Sequence, residues 1–237
     1  MSHPAMLSAT RRVASVRRAA PLGSASVQRA SAASVPLLST SDRAVLVWLS
    51  EQYAARSDQL AALLDRSDRT ARRAVARLRE AGLVEDRALP YREGTWVWLT
   101  PRGQRAAATG FSTWRLNPAL LDHIAAVNEV RRYVAQVSPA SLWVPERQLA
   151  RELDRGAHLP DAVVHTDAER RAIEVERIPK SRARTEAIVT ELAGHYDGVV
   201  YYCAPPARRQ LDELASSGRW PVLFVRDLPG PRGRSAR

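Results

Sequence analysis

The chain has 237 residues, 45% of them apolar, and a net charge of +11. That length supports two modest domains, and the charge points to a polyanionic partner, nucleic acid before membrane. No apolar run approaches the ~20 residues that a membrane span needs, and a single cysteine, Cys203, excludes an internal disulfide and a cysteine-based zinc cluster.

Residues 1–38 hold no acid and five arginines (Arg11, Arg12, Arg17, Arg18 and Arg29) among Ala, Ser and Val. This composition suits a disordered basic arm that lies on phosphate. An organellar transit peptide, or a stretch before the true start, has the same composition; the bacterial character of the rest favours the arm. The Pro/Gly/Arg-rich end, residues 229–237, is expected to be a disordered basic tail.

Residues 39–110 read as helix, short helix, basic helix and hairpin. Ser41 is placed to cap a helix running to about Ala54, with Val45, Leu49 and Tyr53 at helical spacing. Ser57 opens a short helix bearing Leu60, Leu63 and Leu64. Ser67 caps a third, Asp68 to about Ala81, whose buried stripe is Ala71, Ala74, Val75 and Leu78. The opposite side of that helix carries Arg69, Arg72, Arg73, Arg77 and Arg79, and Gly82 is its stop. Leu83–Glu85 and Thr95–Leu99 read as two strands around a turn-rich loop holding Arg87 and Arg92. This order, with "RLREAGLVEDR" followed by "WVWLTPRGQR", resembles a winged helix-turn-helix. The resemblance implies double-stranded DNA as partner. Arg69, Thr70, Arg72, Arg73 and Arg77 then meet the major groove, while Arg87 and Arg92 touch backbone or minor groove.

Residues 111–228 read as an α/β domain. A helix after Asn117-Pro118 is followed by strands at Leu142–Glu146, Asp161–Val164 and Arg171–Glu176. A helix from Arg182, an apolar strand Val199–Cys203, a helix from Ala207 and a last strand Val222–Val225 complete it. Glu174 and Glu176, two apart in a strand, share a face. Two carboxylates on one face of an apolar strand need a cation or arginines to offset their burial.

The Pro-Asp strand followed by a Glu-x-Glu strand is similar to the PD-(D/E)xK nuclease superfamily, a restriction-endonuclease-like fold. That likeness implies Asp161 and Glu174 as ligands of Mg²⁺ (or Mn²⁺ in its place), with Glu146 as an added acid. Glu176 stands where a lysine is expected, and Lys180, the chain's one lysine, is placed to reach back into the site. The catalytic set would be Asp161, Glu174, Glu176 and Lys180. His123 and His195 are expected to hydrogen-bond rather than to catalyse.

Taken in order, "LDHIAAVNEVRRYV", "WVPERQL", "LPDAVV" and "AIEVERIPKSRAR" behind a winged helix resemble the replication-relaxation family of actinobacterial plasmids and mobile elements. The resemblance implies a cytoplasmic DNA-binding protein of replication, relaxation or transfer whose second domain cleaves or nicks DNA. The alternative is a transcriptional or copy-number regulator whose second domain is an inactive nuclease fold used for protein contacts. A replication or transfer enzyme and a second copy of the chain are the expected protein partners, and a membrane is not.

Overall fold

The structure, a computed structural model, describes residues 37–152 and 156–230; the basic tail beyond Gly230 and all but the last two residues of the basic arm lie outside them. Helix α1 (Thr40–Gln52) starts two residues earlier than Ser41 would allow. Ser39 is its cap: the Asp42 N–H donates to Ser39 Oγ at 3.1 Å, and the Asp42 carboxylate accepts from the Ser39 N–H in return. The helix stops at Gln52 because Tyr53 takes φ 71°, a left-handed turn rare for a bulky residue. That turn releases a short strand, β1 (Ala54–Arg56), too brief for any periodic signal and absent from the expected order.

Helices α2 (Ser57–Leu63) and α3 (Asp68–Glu80) follow. The buried residues of α3 are Ala71, Ala74, Val75 and Leu78, the stripe its spacing predicts. Ser67 caps it, and Gly82 ends it with φ +68°. The hairpin β2 (Val84–Ala88) and β3 (Thr95–Leu99) pairs Val84 with Leu99 and Ala88 with Thr95, and β1 adds to the other edge of β3, giving the order β1-β3-β2. Helix α4 (Pro101–Ala107) crosses so close that a Cβ on Gly103 would lie 1.8 Å from the Leu83 carbonyl oxygen.

After a single 3-10 turn at Pro118–Leu120 comes α5 (Leu121–Val137). The strand expected over residues 142–146 is shorter: β4 is Leu142–Pro145, and Glu146 instead starts a short helix, α6 (Glu146–Glu152), missed because one apolar residue, Leu149, is its main buried anchor. Then follow β5 (Ala162–His165), β6 (Arg170–Glu176), α7 (Arg182–Ala193), β7 (Gly198–Cys203), α8 (Pro205–Ser216) and β8 (Leu223–Asp227). The sheet order is β4-β5-β6-β7-β8, antiparallel from β4 to β6 and parallel from β6 to β8. Strand alternation sorts the two faces. Ala172, Val199, Tyr201 and Cys203 pack against α7 and α8, while Ile173, Val175, Val200 and Tyr202 pack under α5.

Helix α5 also grips the first part, so the chain from α1 to β8 forms one compact unit. Leu121, Ile124 and Ala125 pack with Ala54, Trp96 and Trp98. Beside them the Asn128 amide donates to the Ala54 carbonyl, and the Gln59 amide donates to both the Ala125 carbonyl and Glu129, each at 2.9 Å. Buried polar groups of this kind fix register, because losing one partner strands the other without water.

Candidate functional site

Two constellations stand out. The first is the outer side of α3. Arg69, Thr70, Arg72 and Arg73 are exposed on its first two turns, and among the described residues none of these three arginines has an acidic partner. The remaining basic residues of this region differ. Arg77 pairs with Asp42 and Arg79 with Asp86, at 3.0 and 3.1 Å, so both are tied to the body of the fold. Arg87 is exposed on β2. Arg92 does not point outward from the loop: it pairs with Asp122 and donates to the Pro118 carbonyl at 3.1 Å, which turns it toward α5.

The second constellation gathers the acids. Glu146 begins α6, Asp161 precedes β5, and Glu174 and Glu176 lie on β6. Asp161 is held at both oxygens: Oδ1 meets His123 Nε2 at 2.8 Å, and Oδ2 accepts from the Val175 N–H at 2.7 Å. Glu146 accepts from the Tyr53 hydroxyl at 3.1 Å. Glu174 meets His158 Nε2 at 2.8 Å, and the His158 N–H donates to Glu191 at 2.6 Å. Lys180 reaches back as expected, but it closes an ion pair with Glu176.

The electrostatics follow from burial. Desolvation, and after it the charge of Asp161, pushes the Glu174 carboxyl up to about 7 against the opposing pull of the His158 hydrogen bond and the His158 and Lys180 charges. Burial and the neighbouring Asp161 charge raise Glu146 as well. Burial presses His123 down, but its bond to Asp161 and the charges of Asp161, Glu146 and Glu174 outweigh that, so its net shift is upward. His158 is raised chiefly by its bond to Glu174.

Carboxylate oxygens are the right donors for a hard divalent cation. Their arrangement is not one: among the described residues no three His, Cys, Asp or Glu side chains are gathered to hold a metal ion. Asp161 and Glu174, expected as the metal pair, each face an imidazole instead, and Glu146 faces a phenol. As placed, these residues do not fit Mg²⁺ or Mn²⁺. The lysine that such chemistry needs free is engaged by Glu176. Sequence reasoning missed His158 and the hydroxyl of Tyr53. Their partners stand 16 and 93 residues away, and only the fold brings them together.

The sequence model of the replication-relaxation family matches residues 46–200. No curated protein matches the chain. Among solved structures, a MarR family transcription regulator is 25% identical with a TM-score of 0.28, over 43% of this chain and 75% of that one. A probable transcriptional regulator from Pseudomonas aeruginosa is 22% identical with a TM-score of 0.29, over 50% and 80%. A structure of PigF with SAH is 18% identical with a TM-score of 0.20, over 79% and 56%. Among the described residues no helix is long and apolar enough to cross a membrane.

Proposed function

We propose, from the premise that this chain belongs to the replication-relaxation family, that it binds double-stranded DNA by laying α3 in the major groove. The observation that carries this reading is the set of unpaired, exposed Arg69, Arg72 and Arg73 beside Thr70 at the start of a capped helix. A major groove admits one helix, and base contacts concentrate at the N-terminal turns of a recognition helix. The β2–β3 hairpin behind α3 serves as the wing, with Arg87 on phosphate. Arg77 and Arg79, bound to acids of their own fold, orient the helix rather than read bases. The test is duplex binding by fluorescence anisotropy across a salt series. Arg72→Ala with Arg73→Ala should weaken binding and lower the salt slope by about one for each phosphate that the two arginines neutralise. Unchanged binding would remove α3 from the interface.

The antiparallel run β4-β5-β6, then α7 and the parallel β7, supports reading the second half as a nuclease-like fold. The internal partner on each acid favours the non-catalytic form of that reading, a regulator whose second half serves for binding other proteins. A nicking assay on supercoiled plasmid decides. No cleavage with Mg²⁺ or Mn²⁺ is expected, and cleavage abolished by Asp161→Ala would overturn this form.

A further inference from the structure

The two faces of the five-stranded sheet are covered unequally. Helices α7 and α8 lie on one, and α5 packs on the other. Neighbouring strands stand about 4.8 Å apart, so five of them span about 19 Å, whereas a helix is about 10 Å across. One helix therefore leaves part of that face open. Helix α5 also ends at Val137, where the chain turns back toward β4. Around that end the surface is apolar: Val137 is 60% exposed, Tyr133 39% and Phe224 of β8 38%. Tyr133 meets Tyr202 edge-on, with centroids 6.1 Å apart.

A cavity of about 150 Å³ opens here, with Val164, Ile173 and Val200 in its walls. Its volume decides the kind of ligand. Whole small-molecule sites run to ~300–1,000 Å³, so this one suits a single large apolar side chain carried by something bigger. Arg171 and Arg226 also line it, and no acid does. Arg171 pairs with Glu169 and lies 5.5 Å from the Phe224 ring centroid. Arg226 is exposed and has no acidic partner among the described residues. Tyrosine, phenylalanine and arginine around an apolar centre, with carboxylates absent, is the composition of an interface core rather than of ordinary surface. The cavity also stands away from the acids. It uses the end of β5 and the start of β6, whereas Asp161 precedes β5 and Glu174 and Glu176 close β6.

We propose that this cavity docks a segment of a partner protein that presents one large apolar side chain flanked by carboxylates. The apolar side chain fills the cavity, and the carboxylates meet Arg226 and Arg171, whose planar forks match them. A second copy of the chain fits less well. Its matching face brings the same two arginines, and a net charge of +11 on each copy opposes their approach. The proposal rests on the reading of the second half as one that binds other proteins, and it names the chemistry of the partner.

The test uses the full chain and a panel of labelled acidic peptides, each with one Leu, Ile, Phe or Trp set between aspartates and glutamates. Fluorescence anisotropy reads affinity, and methyl NMR of Val137 and Val200 reads position. At least one peptide should bind saturably and shift both residues. Changing its apolar residue to alanine, or its acids to asparagine and glutamine, should weaken binding about tenfold. Val137→Asp and Arg226→Ala should do the same, and both positions are exposed, so the core stays intact. Arg226→Glu should transfer the preference to the matching peptide with lysines in place of acids. A chain of this charge attracts any acidic peptide, so Arg72→Ala with Arg73→Ala is the control and should leave the binding unchanged. The proposal is overturned if no peptide binds saturably, if the alanine peptide binds as well, or if binding follows Arg72 and Arg73 instead of Arg226. It is equally overturned if sedimentation shows a dimer that Val137→Asp dissolves, which would give the face to a second copy. Plasmid nicking is scored separately: cleavage abolished by Asp161→Ala would remove the non-catalytic reading and leave the peptide result standing.

Discussion

His123 and Asp161 meet at 2.8 Å, Nε2 on Oδ1, although 38 residues of chain separate them. The other oxygen of Asp161 is taken by the Val175 N–H, so β6 fixes the carboxylate and the carboxylate fixes the imidazole. An aspartate engaged at both oxygens orients its partner.

Asp161→Asn should therefore act first on His123. Without the carboxylate charge, the proton affinity of His123 should fall, because burial then meets less opposition. The sign for stability follows. A histidine raised above its unfolded value stabilises the fold below about pH 6.5 and loses that contribution as pH rises through the higher folded value. The variant should lose stability mainly on the acid side. Titration of His123 by NMR measures this, and an unmoved midpoint would mean that Asp161 does not hold the imidazole.

The contrast between the two constellations explains what the sequence could reveal. The stripe on α3 is local: Ala71, Ala74, Val75 and Leu78 recur at helical spacing, and a cap and a stop bracket them, so spacing alone locates the arginines opposite. The shared face of Glu174 and Glu176 is equally local, being strand alternation. What neutralises those acids is not local. His158, Tyr53 and His123 reach them through sheet order and the docking of α5, and nothing in their spacing announces it. Arg92 shows the same limit from the other side. Its loop position suggested DNA, but Asp122, on a helix of the second half, decides where it points.

Gly103 offers a test of the packing that holds the hairpin. A methyl group there would overlap the Leu83 backbone at 1.8 Å, and backbone cannot swing aside as a side chain can. Gly103→Ala should destabilise by about 1–3 kcal/mol or more, in spite of the better helix propensity of alanine. Urea unfolding measures it, and a neutral result would mean that α4 sits further from Leu83.

Tyr53 joins the end of α1 to Glu146 while the Arg147 guanidinium lies 4.8 Å from its ring centroid. Tyr53→Phe keeps the ring and deletes the donor, leaving a half-buried carboxylate without its hydrogen bond. A loss of about 0.5–1.5 kcal/mol is expected, together with a further rise in the proton affinity of Glu146, since the Tyr53 bond opposes that rise. Chemical denaturation at two pH values separates the effects. Equal stability at both would place the hydroxyl in water rather than on Glu146.

Glu174 should give the fold a pH dependence opposite to that of ordinary surface carboxylates. Its carboxyl is raised from 4.5 to about 7, first by desolvation. Between those values the folded chain keeps a proton that the unfolded chain has released, so stability falls as pH climbs through that window. His158 is hydrogen-bonded to the same carboxyl, so the two groups titrate as one pair and the decline belongs to the pair rather than to two separate sites. Melting temperature should thus decline between about pH 5 and pH 8. Glu174→Gln, which keeps the shape and removes the titration, should flatten much of that decline. A slope that persists unchanged in the variant would assign the pH dependence to other groups and leave the buried acid without a measurable role.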